Sequence, residues 1–336
     1  MSRGQEHIKE QAAMFAGRLR KRKRHLAKWA RREGTGVYRL YDRDIPEIPL
    51  VLDYYEGMRN GVLEHALFGA LYKRPYEKDA AEESAWLLEM KKAAQEVLSL
   101  SEDAIFIKER KRISPFNQYH KDTAARNFEL DVREGGLLFR VNLSGYIDCG
   151  LYHDARKVRA RAAAEAPGKT VLNLFCYTGA FSVYAAAMGA ASVDSVDLSA
   201  VCLKRAAVNF MLNGLEHGGA FRFIRCDVLE FLENARGRRW DIIILNPPVF
   251  SNSKKTTHVL DLKHDYPQLL RLALALLAPG GSLYFGARLR GLSPCNEQFA
   301  PLYGNFPGLV IEDITEKSRC EDFSKHRIPA WLLFKI

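Results

Sequence analysis

Four short segments place residues that could do chemistry at regular intervals. Val171-Leu172-Asn173-Leu174-Phe175 is an apolar run closed by a small-residue turn, Cys176-Tyr177-Thr178-Gly179. Asp197 stands 18 positions after Gly179, at the end of Val193-Asp194-Ser195-Val196. Residues 221–226 run in the same way into Asp227, and residues 240–245 into Asn246-Pro247-Pro248-Val249-Phe250. An acid about 20 residues past a strand–turn–helix unit is placed to accept both hydroxyls of a ribose. Asn246 offers a donor and an acceptor, on a corner that two prolines stiffen. The turn is not GxGxxG, since Gly179 is its one glycine, so this loop does not indicate a dinucleotide site.

The elements that must carry these groups follow from periodicity. The run 171–175 reads as a buried parallel strand. Ala180, Phe181, Val183, Tyr184 and Ala187 continue it at helical spacing. Strand, small-residue turn and helix together present free backbone N–H groups and a positive helix end to a ligand. From Lys169 onward, strands and helices alternate as in a doubly wound parallel sheet, which binds ligands at the carboxyl ends of its strands. Later strands are expected at 282–285, 309–314 and 330–334, the last two forming an antiparallel finishing hairpin across 315–329. Pro167-Gly168 closes a helix expected at 154–165.

Upstream, residues 5–32 read as one helix ended by Gly34 and Gly36. Its apolar members are Met14, Phe15, Leu19, Leu26 and Trp29. Nine cations crowd the rest (Arg18, Arg20, Lys21, Arg22, Lys23, Arg24, Lys28, Arg31 and Arg32), with no acid between Glu10 and Glu33. A solvated face is the plain reading. Uncompensated like charges repel, however, and phosphates would hold them best, which makes the helix an expected RNA-binding arm. The block 37–150 reads as α+β: strands at 48–55, 62–68 and 104–112, an amphipathic helix at 79–100, and a hairpin of 128–132 with 137–143 across Glu134-Gly135-Gly136. It is an expected substrate platform. Its charged strand, with Lys108, Arg110, Lys111 and Arg112, reads equally as a blunted sheet edge.

Strand ends that carry a small-residue loop, an acid, a second acid and an Asn-Pro-Pro element resemble the class I S-adenosylmethionine (SAM) methyltransferases. A closer resemblance runs along nearly the whole chain. It rests on residues 14–21, 28–34, 38–42, Pro46-Glu47, Asn117-Gln118-Tyr119, Val141-Asn142-Leu143, Gly150-Leu151, Asp154, Arg156, Asn173-Leu174-Phe175, Tyr177-Thr178-Gly179, Phe250-Ser251-Asn252-Ser253-Lys254 and Asp322-Phe323. These are similar to the guanine-N7 (RlmK-like) module of bacterial bifunctional 23S ribosomal RNA methyltransferases, here read as a stand-alone version. The sequence departs from that pattern at Asn246 (Asp in the family), Val249 (Thr), His153, Ala155 and the stretch 285–291.

The resemblance implies an α/β fold: a Rossmann-like, mostly parallel methyltransferase sheet with an antiparallel final hairpin, an N-terminal α+β domain, and a basic helix before it. The expected divisions are 1–36 (RNA-binding arm), 37–150 (substrate binding) and 151–336 (SAM binding). It implies SAM as cofactor, with Asn173, Phe175, Tyr177, Thr178 and Gly179 around the methionine part, Asp197 and Leu198 at the ribose, and Asp227 and Val228 at the adenine. Asp154, Arg156 and Asn246 complete the cofactor set. Asn246, Pro247 and Phe250 are the expected catalytic corner, Phe250 stacking on the base. Arg18, Arg20, Lys21, Arg22, Arg24, Lys28, Arg31, Arg32, Arg110, Arg112 and Lys254 are the expected RNA contacts. Plainer readings stand beside these. The turn could be an ordinary strand–helix connection, Asp197 and Asp227 helix caps, Phe250 a core residue, and each cation a surface charge.

The expected reaction is methyl transfer to guanine N7 of large-subunit ribosomal RNA, in an unassembled or unfolded region. N7 carries a lone pair and no proton. No general base is needed, and placement is the enzyme's task. Cytosine-C5 chemistry needs a thiolate, and Phe285-Gly286-Ala287 supplies no cysteine where those relatives carry one. Two other outcomes remain open: an exocyclic-amine methyltransferase acting on adenine or guanine, and a degenerate methyltransferase kept as an rRNA-binding assembly factor.

Composition frames this reading. A chain of 336 residues predicts two domains, and a net charge of +10 suggests a polyanionic partner. The six cysteines (149, 176, 202, 226, 295 and 320) form no CxxC pair. That argues against a disulfide framework or a metal site and fits a reducing cytoplasm. No apolar run approaches a membrane span, and the N-terminal residues carry no secretory h-region.

Overall fold

In the computed structural model, the described residues are 3–76, 78–109, 127–145, 148–251, 259–289, 291–323 and 329–336. Arg110, Arg112 and Lys254 lie outside them, as do Asn117-Gln118-Tyr119 and residues 252–254 of the family motif. The chain divides into two units, Met1–Cys149 and Gly150–Ile336.

The first unit opens with a 30-residue helix, α1 (Arg3–Arg32). It ends as the glycine pattern predicts: Gly34 takes a left-handed φ of 61°, and Thr35 N–H bonds the Ala30 carbonyl at 2.9 Å. The helix expected as a separate arm lies within this unit. Phe15, Leu19, Leu26 and Trp29 are buried, Phe15 stands edge-on to Tyr41 at 5.0 Å, and Gln11 accepts from the indole of Trp86 at 2.7 Å. Burying these apolar side chains removes area from water, which holds a charge-dense helix that would otherwise be unstable alone.

The sheet beneath comprises β1 (Val37–Asp42), β2 (Leu50–Arg59), β3 (Val62–Leu71), β4 (Ile105–Glu109), β5 (Glu129–Glu134) and β6 (Leu137–Asn142), with α2 (Ala80–Leu98) between β3 and β4. The spatial order is β4-β3-β2-β5-β6, and β1 also pairs with β2. One edge of β2 is shared between two partners, residues 51–55 with β1 and residues 57–58 with β5. Gly36 sits at the changeover, where a Cβ would come within 2.3 Å of the Glu56 carbonyl oxygen. The β2–β3 turn is Asn60-Gly61, with φ of 51° and 80°, and the β5–β6 turn is Gly135-Gly136, with φ of 59° and 84°. Both two-residue turns need left-handed backbone, which these residues supply cheaply.

The second unit is a seven-stranded sheet with flanking helices. In chain order it runs α3 (Arg156–Ala164), β7 (Thr170–Leu174), α4 (Ala180–Ala187), β8 (Ser192–Asp197), α5 (Ala200–Leu212), β9 (Phe221–Arg225), α6 (Val228–Asn234) and β10 (Trp240–Leu245). There follow the short β11 (Phe250–Ser251) and β12 (Leu260–Asp261), then α7 (Leu262–Leu274), β13 (Leu277–Ala287), α8 (Ala300–Asn305), β14 (Val310–Asp313), α9 (Thr315–Ser318) and β15 (Ala330–Lys335). The order β14-β15-β13-β10-β7-β8-β9 reverses direction beside β7, the topological switch point at which such sheets bind ligands. β15 runs antiparallel to both β13 and β14, the finishing hairpin predicted above. The central strands are near-continuous aliphatic runs because both faces are covered. Leu172, Leu174, Ile243, Leu245, Leu283, Phe285 and Leu332 belong to one core with Leu269, Leu270 and Leu232 from the helices. Among the described residues no helix is long and apolar enough to cross a membrane.

Candidate active site

Register builds the site. Leu245, Leu174 and Val196 align across β10, β7 and β8, and Phe285 of β13 aligns with Leu245. The next residue of each strand, Gly286, Asn246, Phe175 and Asp197, therefore falls in one row at the carboxyl rim of the sheet.

The turn after β7 carries left-handed backbone at Phe175 (φ 54°), Tyr177 (53°) and Gly179 (73°). Two of these are not glycine, at a cost of roughly 1–2 kcal/mol each. The surroundings hold it in place. Cys176 N–H bonds the Val196 carbonyl at 3.0 Å, Tyr177 N–H donates to Asp197 Oδ2 at 2.9 Å, and Thr178 Oγ1 donates to the Gly150 carbonyl at 2.6 Å. Asn209 of α5 donates to the Thr178 carbonyl at 2.8 Å. Gly179 has a second constraint, since a Cβ there would stand 2.8 Å from that of Ala206. Below the turn, Asn173 Nδ2 and Ser195 Oγ both meet Ser182 Oγ, at 2.8 and 2.7 Å, in a buried polar chain joining β7, α4 and β8.

Asp197 accepts from Ser199 N–H through Oδ1 at 2.8 Å as well as from Tyr177. The cap of α5 is Ser199 itself, whose Oγ accepts from Cys202 N–H. Burial pushes the Asp197 carboxyl upward, while the two backbone N–H groups pull it down. A carboxylate has about four lone-pair sites, so these two bonds leave acceptor capacity to spare. Neighbouring Cys176 has its thiol pushed well up by burial and by Asp197; it stays protonated and is a poor nucleophile. Asp227 realises its plainer alternative: Oδ1 caps α6 through Leu229 N–H (2.9 Å) and Glu230 N–H (3.2 Å). Leu198 is half-buried beside Asp197, and Val228 is buried as the first residue of α6.

At the β10 end, Asn246 is half-buried and Pro247 buried. Gly286 makes room for the amide: a Cβ there would lie 2.8 Å from Asn246 Oδ1 and 2.6 Å from the Trp331 ring. Phe250 is half-buried and opens the β11–β12 ladder opposite Asp261, and Leu262 N–H bonds the Val249 carbonyl at 3.0 Å.

Asp154 and Arg156, expected to touch the cofactor, are buried and held in ion pairs. Arg288 meets Asp154, and Arg156 meets Asp322 at 3.0 Å. These pairs fasten the first residue of α3 and the segment just before it to the segments that precede β15 and follow β13. Their physical cause is burial, because a buried charge must be paired. The partners Arg288 and Asp322, with Ser182, Asn209 and Gly286, carry no role in the expectation from sequence. Asp322 carried a signal through the family motif; the others depend on contacts distant in sequence.

The cations of α1 divide into two sets. Arg18 binds Asp44 at 2.7 Å, Arg22 donates to the Leu40 and Arg39 carbonyls at 3.3 Å, and Lys23 lies over the Tyr54 ring at 5.6 Å. These brace the fold. Arg20 (4.0 Å from Glu96), Lys21, Arg24, Lys28, Arg31 and Arg32 are exposed.

The S-adenosylmethionine-dependent methyltransferase family model matches residues 55–294. The ribosomal RNA large subunit methyltransferase K of Neisseria meningitidis is 40% identical over 319 residues, covering 94% of this chain and 84% of that protein. The methyltransferase K/L of Pseudomonas fluorescens is 41% identical over 322 residues, 96% of this chain but 40% of that protein, so the chain spans well under half of such K/L relatives. SMU.776, a methyltransferase solved in complex with S-adenosylhomocysteine (SAH), shares the fold, with a TM-score of 0.74 and 23% identity over 97% of this chain and 82% of that one. With the strand order, the rim row and these matches together, the chain belongs to the S-adenosylmethionine-dependent methyltransferases, in the family of the ribosomal RNA large subunit methyltransferases K.

Proposed function

We propose that the chain transfers a methyl group to guanine N7 of 23S ribosomal RNA in the cytoplasm, acting on a region that is not yet assembled or folded. The observation that carries this reading is the rim row, in which a cofactor turn with its carboxylate and a rigid Asn-Pro-Pro corner stand on adjacent strands. The names of the relatives supply the RNA.

The rim suits SAM. Asp197 would accept from the ribose diol, the turn 175–179, with left-handed backbone at residues 175, 177 and 179, would hold the methionine part, and Asp227 Oδ2 and the Leu198 side chain would serve the adenine. When bound, SAM supplies an electrophilic methyl on its sulfonium. Asn173 and Thr178 act from below, holding the turn rather than touching the cofactor. Asp154 and Arg156 act as latches.

Guanine N7 needs no proton removed, so the chain has to hold the base in line and keep water out. The Asn246 amide is uncharged, gives one donor and one acceptor, and is held by the Pro247 corner and the gap at Gly286. In A-form RNA the deep groove hides N7, so the base must come from a loop or be extruded, at a cost of a few kcal/mol. The exposed cations of α1 would hold phosphates of the RNA.

A second reading, methylation of an exocyclic amine, is favoured by Asn246-Pro247-Pro248 itself, whose amide acceptor suits an amine that must lose a proton. Digestion of in vitro methylated 23S RNA to nucleosides decides. N7-methylguanosine is expected; N2-methylguanosine or N6-methyladenosine alone would establish the second reading.

A further inference from the structure

In the run 151–156, Leu151, His153, Asp154, Ala155 and Arg156 are all buried, while Tyr152 is 40% exposed. The backbone around it is anchored from several directions. Asp154 meets Arg288, Arg156 meets Asp322 at 3.0 Å, and the His153 ring lies 5.1 Å from Phe323. Arg159 donates to the Tyr152 carbonyl itself at 2.9 Å. The Tyr152 ring rests against Tyr177, centroids 5.2 Å apart and planes 37° from each other. Tyr177 belongs to the cofactor turn, and its N–H is held by Asp197 at 2.9 Å.

Packing explains the buried members of this run but not an exposed ring among them. A large aromatic on an immobilised backbone offers a π-face with little conformational entropy left to lose. Every nucleobase has a face to match it. We propose that Tyr152, backed by Tyr177, stacks on the extruded target purine, in addition to the contact expected of Phe250. This deepens the RNA-methylation reading and rests on it. Stacking tolerates any base, so Tyr152 supplies affinity, and the Asn246 corner selects the base.

Two variants test it. Tyr152→Ala should raise KM for RNA by roughly five- to a hundredfold, the range of a lost base–aromatic stack, with melting temperature and SAH affinity by calorimetry unchanged. Tyr152→Phe should behave like the native chain, because the ring and not the hydroxyl does the stacking. Unchanged KM in the alanine variant overturns the proposal, and so does a parallel loss of SAH affinity, which would assign the ring to the cofactor pocket. A second readout needs no turnover. A single-stranded oligonucleotide carrying 2-aminopurine should be quenched on binding by the native chain and not by Tyr152→Ala; equal quenching refutes the stack. A native chain that quenches the probe but methylates no RNA would sink the proposed reaction and leave Tyr152 as a stacking site.

Discussion

Asp197→Ala removes the carboxylate that ties the end of β8 to the cofactor turn. In the structure its two oxygens accept from Tyr177 and Ser199 N–H at 2.9 and 2.8 Å, and a carboxylate has lone pairs to spare beyond these. Two hydrogen bonds from a diol to a charged acceptor contribute about 1.5–3 kcal/mol each. Burial already disfavours the ionised carboxyl, so the lower end applies, about 3 kcal/mol in total. At about 1.4 kcal/mol per decade, SAH affinity should fall by about a hundredfold. The assay is calorimetry with SAH, with thermal melting to show that the variant is folded. Affinity within about threefold of native, in a folded variant, would refute the assignment. The same carboxyl predicts a pH dependence. Diol donors favour the ionised form, so the complex has a lower Asp197 pKa than the free chain, and SAH affinity should rise with pH between those values and level off above them. Asp197→Asn should flatten the profile. In the free chain the sign is reversed. The raised pKa means that the folded state holds a proton the unfolded chain has released, so this group's contribution to stability falls as pH rises through that window.

Three further outcomes are expected. Gly286→Ala places a methyl against Asn246 Oδ1 and the Trp331 ring; methyl transfer should fall at least about tenfold while SAH affinity holds, and equal loss of both would point to general distortion. Replacing Lys21, Arg24 and Lys28 together with Ala should lower the salt slope of RNA binding by about two, at roughly 0.7–0.9 per phosphate contact, without changing the melting temperature; an unaltered slope would make this face a merely solvated one. Asp194→Ala strips a buried acceptor from Arg222 (2.6 Å), Arg238 (3.1 Å) and the Trp240 indole (3.1 Å). Since both arginines are about half exposed (50% and 45%) and can regain water, the loss should be nearer about 2 than 5 kcal/mol, or roughly 5 °C in melting temperature, with SAH binding intact.

The sheet was legible because its strands are unbroken aliphatic runs that end in punctuating residues. The run 171–175, the acid at 197 and the double proline at 247–248 each mark a strand's carboxyl end, and the topology follows from their alternation with helices. The hairpin across Gly135-Gly136 was equally readable from its glycines. What sequence could not supply is partnership across distance. Asp154 and Arg156 have the types of ligand-binding residues, and only the fold shows that they pair with Arg288 and Asp322. Asp227 allowed two readings in the sequence, since an acid before a helix is a cap whether or not it also binds an amine, and the structure shows the cap. The run of cations on α1 reads as one uniform face, and the apolar stripe beneath it separates Arg18, Arg22 and Lys23, which fasten the helix, from those that face outward.

The central claim is that the cofactor lies along the rim between Asp197 and the Asn246 corner. A crystal structure of the chain with SAH tests this most directly. The ribose hydroxyls should lie on the Asp197 carboxylate, the amino-acid part against residues 175–179, and the sulfur toward Asn246. Ligand bound elsewhere, or a rim filled by the chain's own side chains in crystals saturated with SAH, would contradict it.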